Sequence, residues 1–408
     1  MARTGTYIPG SGPRSDVDGE PRPDERLVTG YTGRILLTVS IGYLVIQFGR
    51  NILSPLLPDI MESLAISSVE AGLALTVIGF TYAFSQFPGG RLSDQLSRKT
   101  IIVLATVVAT AGYFVLFVTR SYPPFLVAAA VISIGAGLYW ISLRALMADL
   151  FVARRGQAFG LQDALGFAGP LLAAGGAVVA VALGSWRLGF PPVVAALLLI
   201  GLCTHRWLRE PYVVTSVEFD FVATGRRVFA DVRIRWLVIA YTAVVFSMQA
   251  VLGFLPVYLQ VERGYSTALS SLGFALLFVG AMVSMPLAGS LGDRIDYTPV
   301  AIGGVTVAIA GLVLTLFAPG VALVMIGVLG FAAGTFAFPP VIQAYLMTLF
   351  PDGSMGGDYG AFKTVYAGVG SLGPTYVGVV AAAFSYTAAF AGLGLLLVGA
   401  IYLLARHV

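Results

Sequence analysis

Long apolar runs, separated by short polar segments, repeat along this chain. Twelve of them have about the 20 residues that a helix needs to cross the hydrocarbon core of a bilayer. Because a backbone inside lipid must satisfy its own hydrogen bonds, the pattern indicates an all-α membrane protein with twelve transmembrane helices. It predicts helices over 34–58, 68–90, 100–119, 123–148, 157–184, 186–206, 235–260, 267–289, 298–318, 320–349, 358–383 and 385–405.

The composition agrees with this pattern. Hydrophobic residues make up 58% of the 408 residues, charged residues only 11%, and the mean hydropathy is +0.89. Such a chain is too apolar for a water-soluble domain of this size. We find no spaced Cys/His cluster, no phosphate-binding loop and no nucleophile beside a base. We therefore expect no enzyme activity, metal or cofactor, no nucleic-acid partner and a monomer in the lipid bilayer.

Basic residues give the expected orientation. They gather in the N-terminal tail, the 91–99 turn, Arg154 with Arg155, and the 206–235 segment. Since Arg and Lys mark the cytoplasmic side of a membrane protein, we expect a multi-pass protein of the cell membrane with both termini in the cytoplasm. The N-terminal residues contain Pro, Gly and scattered charge without an apolar run, which is typical of a disordered tail rather than a signal peptide.

One long polar segment separates six predicted spans from the other six. It is either a short amphipathic helix on the inner leaflet or a plain tether. We therefore predict a disordered tail over 1–32, an N-terminal six-helix bundle over 33–206, a cytoplasmic linker over 207–234 and a C-terminal six-helix bundle over 235–408.

A polar turn occurs twice. The segment that contains Gly90 and Asp94 has a weaker copy, with Gly289 and Asp293, 199 residues later. Leu150-Phe151 and Leu349-Phe350 have the same separation, and Gly169-Pro170 recurs as Gly373-Pro374 after 204 residues. A nearly constant separation predicts two parallel bundles related by an axis along the membrane normal, with a cavity between them.

The first copy of this turn resembles the G-x-L-x-D-R-x-G-R-K motif of the major facilitator superfamily, although Gln95 and Ser97 depart from it. The resemblance implies two pseudo-symmetric six-helix bundles and secondary transport by alternating access. It also implies that Asp94, with Arg98 as its local partner, latches onto span eleven, and that Asp293 latches onto span five. The alternative is a simple turn cap. The predicted latch residues are Gly90, Asp94, Arg98, Lys99, Gly289, Asp293 and Arg294.

Ionisable side chains inside spans are costly and usually functional. The chain has four: Arg50, Arg144, Asp163 and Lys363. Arg50 lies on one helical face with other polar residues, so we expect that face to line the cavity, unless Arg50 reaches outward to the headgroups. The other members of this face are Tyr43, Gln47, Asn51 and Ser54.

Arg144 and Asp163 are equidistant from the turn near Arg154, so a helical hairpin places them at one depth and predicts an ion pair. The pair is either structural or linked to protons or solute. In the second half, Gln343 corresponds to Arg144 and Lys363 to Asp163. Opposite charges thus occupy equivalent depths in the two halves, and we expect Asp163 and Lys363 to act in coupling or gating. If spans four and five and spans ten and eleven close the inner gate, as the resemblance implies, the two side chains bridge it when the site faces outward. The alternative is that Lys363 reaches the inner headgroups.

The four groups sum to +2, which favours an anionic solute. Arginine suits carboxylate or phosphate through its forked donors, so we expect Arg50, and next Arg144, to contact the solute. Five aromatic residues either wall the cavity or pack in the core, namely Tyr82, Tyr139, Trp140, Tyr258 and Tyr345. Trp140 is the candidate solute contact among them, because it precedes Arg144 by one helical turn. The predicted solute-binding residues are Arg50, Arg144, Gln47, Asn51, Tyr43, Trp140, Gln249 and Gln343.

The first span, with Arg50, Asn51, Ser54 and Pro58, also resembles the anion:cation symporter branch of the superfamily. In that branch an Asp precedes the Arg, whereas Gly49 stands here, so the expected proton carrier becomes Asp163. We predict a proton-coupled transporter of a small organic or inorganic anion. One alternative is an efflux antiporter for drugs or metabolites, because Gly169-Pro170 with Gly175-Gly176 resembles part of the fifth-span glycine motif of antiporters in this superfamily. Another is a non-transporting sensor or scaffold.

Overall fold

The computed structural model describes residues 25–212, 231–349 and 355–407. Twelve helical segments in this part of the chain are long and apolar enough to cross a membrane. The predicted tail before residue 25 and the linker over 213–230 lie outside the described residues. The helices are α1 Gly30–Asn51, α2 Leu57–Leu64, α3 Ser68–Gln95, α4 Arg98–Val118, α5 Tyr122–Leu150, α6 Arg155–Ala182, α7 Pro191–Trp207, α8 Val232–Val261, α9 Thr267–Gly292, α10 Tyr297–Phe317, α11 Val321–Leu349, α12 Met355–Gly370, α13 Gly373–Ala383 and α14 Tyr386–His407.

Two predicted spans are broken rather than continuous. The helix predicted over 34–58 ends at Asn51, and a separate short helix begins at Leu57. Pro55 lies in the break, where it has no amide hydrogen to donate and disfavours helical geometry in the preceding residue. The helix predicted over 358–383 is likewise interrupted between Gly370 and Gly373. The prediction of uninterrupted helices is therefore wrong at these two places.

Glycines let helices of the same half approach closely. A Cβ atom on Gly169 of α6 would lie 2.7 Å from the carbonyl oxygen of Leu44 on α1. In the second half, a Cβ on Gly373 would lie 2.2 Å from the carbonyl oxygen of Phe246 on α8. Small residues at such crossings are typical of membrane helix pairs. The repeated crossing follows from the two pseudo-symmetric six-helix bundles of the fold.

We expect Gly169→Ala to destabilise the first half, because the added methyl group meets backbone that cannot move aside. Overpacking of this kind costs about 1–3 kcal/mol. Thermal unfolding of the purified protein in detergent measures the effect. Gly175→Ala is the matched control, since no atom lies within 4 Å of its Cβ position on the same helix. Equal unfolding temperatures for the two variants would contradict this account of the crossing.

Hydroxyl groups join the two halves at one end of the molecule. We call the end that holds Gly30 and His407 the terminal end, and the opposite end the far end. The joining contacts lie toward the far end, where α1, α3 and the α1–α2 break meet helices of the second half. They run from Ser54 Oγ to the carbonyl oxygens of Leu252 and Gly253 (2.6 and 2.9 Å), from Thr76 Oγ1 to Thr375 Oγ1 (2.7 Å) and from Ser68 Oγ to the Tyr386 hydroxyl (2.7 Å).

Candidate functional site

The predicted ion pair between α5 and α6 is present: Nη2 of Arg144 donates to Oδ1 of Asp163. The two helices are antiparallel and joined by the short turn over 151–154, which brings the two side chains to one depth. Asp163 lies eight residues after the start of α6, about 12 Å along its axis. Its side chain is nevertheless 43% exposed. The pair is therefore accessible from outside the packed helices although it lies well inside α6.

Trp140 on α5 joins cations from both halves. The Arg144 guanidinium carbon lies 5.4 Å from the centre of the indole ring, and Lys363 Nζ of α12 lies 4.3 Å from the same centre. A cation over an aromatic face is attracted by the ring quadrupole. Lys363 thus contacts Trp140 here, while the ion pair that the structure shows for Asp163 is with Arg144. The predicted bridge between Asp163 and Lys363 concerns another conformation and stays a prediction.

Arg50 of α1 stacks on an aromatic ring of α3. Its guanidinium carbon lies 4.0 Å from the centre of the Tyr82 ring. Tyr43, on the same helix further towards the terminal end, lies within electrostatic range of Arg50, Tyr82 and Asp163. Among the described residues, neither Arg50 nor Lys363 forms an ion pair with a carboxylate. The site therefore holds two cations whose charge no described acidic side chain neutralises.

The other polar residues predicted on α1 have different surroundings. Asn51 Nδ2 donates to the carbonyl oxygen of Gln47, 2.8 Å away on the same helix. Gln47 Oε1 is buried and lacks a hydrogen-bond partner within the described part of the chain. Ser54 closes the far end through its contacts with the second half. The predicted polar face thus holds an acceptor without a donor at Gln47 and a closing contact at Ser54.

The second half contributes neutral polar groups to the interior. Gln343 Nε2, at the position equivalent to Arg144, donates to the Tyr241 hydroxyl over 3.3 Å. The Tyr241 ring lies 4.1 Å from that of Tyr366 on α12. Gln249 of α8 faces α3, because a Cβ on Gly79 would lie 3.4 Å from its Nε2. The two predicted glutamines therefore lie at helix interfaces of the second half, one of them shared with the first half.

Two of the predicted aromatic wall residues belong to the core instead. Tyr139 and Tyr258 are 0% and 1% exposed. Their hydroxyls donate to the backbone carbonyl oxygens of Val39 and Thr315, at 2.8 and 3.3 Å. The cavity alternative is therefore wrong for both residues. Each tyrosine ties its helix to a neighbouring helix of the same half.

The turn between α3 and α4 holds the start of the linker. Lys99 Nζ donates to the Leu208 carbonyl oxygen at 2.7 Å and lies 5.0 Å from the centre of the Tyr212 ring. The Glu210 carboxylate accepts from the backbone N–H of Lys99 at 3.1 Å, and burial raises the pKa of this carboxyl group. The turn thus fastens the residues that follow α7, a role that the sequence did not reveal.

The structure describes some of the predicted latch residues, but none of their described contacts joins the two halves. Arg98 Nε pairs with Asp149 Oδ2 of α5 at 3.0 Å. Asp293 and Arg294 are exposed, and no atom lies within 4 Å of the Cβ position of Gly289. The side-chain environments of Gly90 and Asp94 lie outside what the structure describes. The latch between the halves therefore stays a prediction.

Glu25, which precedes α1, binds the turn between α5 and α6. Its buried carboxylate accepts from the backbone N–H groups of Val152, Ala153 and Arg154, at distances from 3.0 to 3.5 Å. These groups lie just before the start of α6, where the helix dipole favours a negative charge. This contact is not apparent from the sequence, because the two segments are far apart along the chain and share no periodic pattern.

Known proteins share the sequence features of this chain. Residues 39–374 match the family model described as Major Facilitator Superfamily. The chain is 26% identical over 388 residues to a probable 4-methylmuconolactone transporter of Cupriavidus pinatubonensis, covering 87% of this chain and 88% of that protein. It is 26% identical over 371 residues to the cis,cis-muconate transport protein of Acinetobacter baylyi, covering 86% and 87%.

Other curated relatives match over shorter segments. A probable sulfoacetate transporter of Cupriavidus necator is 25% identical over 284 residues, covering 64% of this chain and 65% of that protein. An uncharacterised MFS-type transporter of Mycobacterium tuberculosis is 30% identical over 131 residues. That match covers 31% of each protein, so the chain spans about a third of the length of this relative.

Solved structures share the fold. A bacterial homolog of the human lysosomal transporter Spinster, in an inward-facing and occupied conformation, superimposes with a TM-score of 0.79 at 17% identity, covering 93% of this chain and 98% of that one. A point mutant of the nucleoside transporter NupG gives a TM-score of 0.78 at 12% identity, covering 91% and 99%. These likenesses confirm the predicted fold of twelve membrane helices in two bundles.

Proposed function

The chain belongs to the Major Facilitator Superfamily, and we propose that it moves a small organic anion across the cell membrane by alternating access, coupled to protons. The observation that carries the proposal is the charge of the cavity. Arg50 and Lys363 contact aromatic faces, and no described carboxylate neutralises them. A cation inside the membrane is costly without a partner, and an anionic solute supplies that partner. Arg50 is the principal contact in this proposal.

The names of the relatives support an anionic solute. Two of the similar proteins are named for transport of cis,cis-muconate and sulfoacetate. Each of these compounds carries two acidic groups. A third relative is named for 4-methylmuconolactone, which carries one. Bidentate donors such as guanidinium groups suit carboxylates and sulfonates alike, so the cations of the cavity fit this class of compound.

The proposed orientation places the terminal end and both termini in the cytoplasm, because the basic residues gather there. The far end then faces outward, and the hydroxyl contacts between Ser54, Thr76 and the second half close it. The cavity opens to the cytoplasm in this state. In the proposed cycle, the halves over 33–206 and 235–408 rock about the site, joined by the linker over 207–234.

The proposed coupling depends on competition for Arg144. Asp163 pairs with Nη2 of the Arg144 guanidinium. A proton on Asp163 removes the negative charge and weakens this pair, which frees Arg144 for the solute anion. Anion and proton therefore bind together and cross in the same direction. The alternative of a purely structural pair predicts no such linkage.

The test is uptake of labelled cis,cis-muconate by proteoliposomes that contain the purified chain. We expect a pH gradient, acidic on the side from which the solute enters, to raise the initial rate several-fold above the rate without a gradient. Empty liposomes provide the background. Movement of lipophilic cations against an opposing proton gradient, without anion uptake, would favour the efflux antiporter. The absence of solute movement under every gradient would favour a sensor or scaffold.

A further inference from the structure

We propose that the solute is a dianion, with one acidic group bound by Arg50 and the other bound between Arg144 and Lys363 beside Trp140. This inference rests on the proposed function and specifies its substrate class. It assigns Lys363 a role in selecting the number of charges on the solute. Three observations support it: the positions of the cations, an unpartnered donor and the division of the site between the halves.

The cations lie at two levels of one cavity. Tyr82, whose ring contacts the Arg50 guanidinium, lies 13 residues before the end of α3 at Gln95, about 20 Å from that end. Trp140, whose ring contacts Lys363 Nζ, lies 10 residues before the end of α5 at Leu150, about 15 Å from that end. Both helices end at the terminal end. Counted along the two helices, the rings therefore differ by about 5 Å in their distance from the helix ends, which is of the order of the separation of the acidic groups in a short diacid.

Tyr43 connects the two levels. It interacts electrostatically with Arg50 and Tyr82 at one level and with Asp163 at the other. Asp163 in turn pairs with Arg144, which shares the Trp140 ring with Lys363. Tyr43 therefore lies within electrostatic range of both levels. In the proposed complex, one small molecule reaches from Arg50 to Lys363 along this line.

The lower level has donors that suit an acidic group. Arg144 uses Nη2 for Asp163, but its Nε is buried without a hydrogen-bond partner in the described residues. Lys363 lies within electrostatic range of Arg144, so two positive groups repel each other across one indole ring. An acid oxygen between them accepts a hydrogen bond from Nε and replaces repulsion by attraction.

The site is also divided between the halves. Arg50, Trp140 and Arg144 belong to the first half, whereas Lys363 belongs to the second. A monoanion held by Arg50 alone leaves Lys363 without an anionic partner among the described residues. A dianion binds both halves at once and stabilises their approach at the terminal end, which is the step that closes the cavity.

Competing uptake of two matched probes tests the inference: cis,cis-muconate, a dianion at neutral pH, and its monomethyl ester, a monoanion of the same carbon skeleton. Proteoliposomes contain the full chain, and kcat/KM is measured for each probe. We expect the parent to prefer the dianion at least tenfold. We expect Lys363→Gln to lower kcat/KM for the dianion at least tenfold and not to lower the value for the ester, because binding of the monoanion no longer leaves this cation unpaired.

Two variants serve as controls. Lys363→Arg keeps the positive charge and is expected to keep the preference for the dianion. Thr364→Gln changes the neighbouring, exposed residue of α12 and is expected to leave both probes unaffected. Thermal unfolding of each purified variant identifies any general loss of folding.

Equal losses for both probes in Lys363→Gln would overturn the inference, because they indicate a gate or a structural role. Equal values of kcat/KM for the ester and the dianion in the parent protein would overturn it too. Failure of the proposed function gives a different result, since the parent then takes up neither probe. Arg50→Gln distinguishes the role of Arg50 from that of Lys363, because it is expected to lower the uptake of both anions.

Discussion

Replacing Arg50 by glutamine is expected to lower kcat/KM for anion uptake about a hundred-fold. The guanidinium lies 4.0 Å from the centre of the Tyr82 ring and has no carboxylate partner among the described residues, so its charge is available to the solute. A hydrogen bond to a charged group contributes about 1.5–3 kcal/mol, and about 2.7 kcal/mol corresponds to about a hundred-fold. Initial uptake rates of labelled cis,cis-muconate measure the loss.

Two further variants serve as comparisons for Arg50→Gln. Arg50→Lys retains the charge but not the forked donors, and is expected to recover only part of the rate. Arg34→Gln alters another arginine of α1, which stacks on Trp207 at the terminal end, and is expected to leave uptake unchanged. Anion uptake that is the same in Arg50→Gln and in the parent would exclude Arg50 from the solute site.

Replacing Asp163 by asparagine is expected to uncouple transport from the pH gradient. Asparagine resembles the protonated carboxyl group, so Arg144 stays available to the solute whatever the pH. We expect the stimulation of cis,cis-muconate uptake by a pH gradient to be lost, while exchange of labelled for unlabelled solute continues at a rate similar to that of the parent. Both quantities are measured in the same proteoliposomes.

Asp149→Asn is the matched control, because Asp149 also pairs with an arginine of the first half but lies at the terminal end of α5. Gradient-driven uptake is expected to persist in that variant. If Asp163→Asn loses exchange together with gradient-driven uptake, the pair with Arg144 holds the helices rather than carrying a proton.

The membrane fold could be predicted from the sequence because the main requirement of this fold applies to each short segment separately. Each span must be long and apolar, and each turn polar, so runs of residues alone locate the twelve helices. The same locality explains the two errors. The break after Asn51 and the interruption before Gly373 depend on where a neighbouring helix satisfies the freed backbone groups. Prolines mark such places without determining whether the helix bends, breaks or continues.

The site was predictable where a short hairpin sets the geometry. Arg144 and Asp163 flank one turn, so their pairing follows from counting residues. The contact of Lys363 with Trp140 instead depends on how the two halves tilt, which no run of residues encodes. The hydrogen bonds of Glu25 to the α5–α6 turn depend on the path of the chain before α1. Tyr139 was ambiguous because a buried tyrosine and a cavity tyrosine have the same apolar neighbours in sequence.

The closure of the far end by hydroxyl groups limits how firmly the protein can rest in one state. The contacts of Ser54, Thr76 and Ser68 with the second half are neutral hydrogen bonds, each of which stabilises the closed end by only about 1 kcal/mol, because water can take the place of either partner. Close helix packing adds to these bonds, since a Cβ on Gly72 of α3 would lie 2.6 Å from the carbonyl oxygen of Pro374 on α13. Unlike an ion pair, hydroxyl contacts can be exchanged one by one for contacts with water while the helices separate. The binding energy of an occupant can therefore shift the balance between the closed and the open far end.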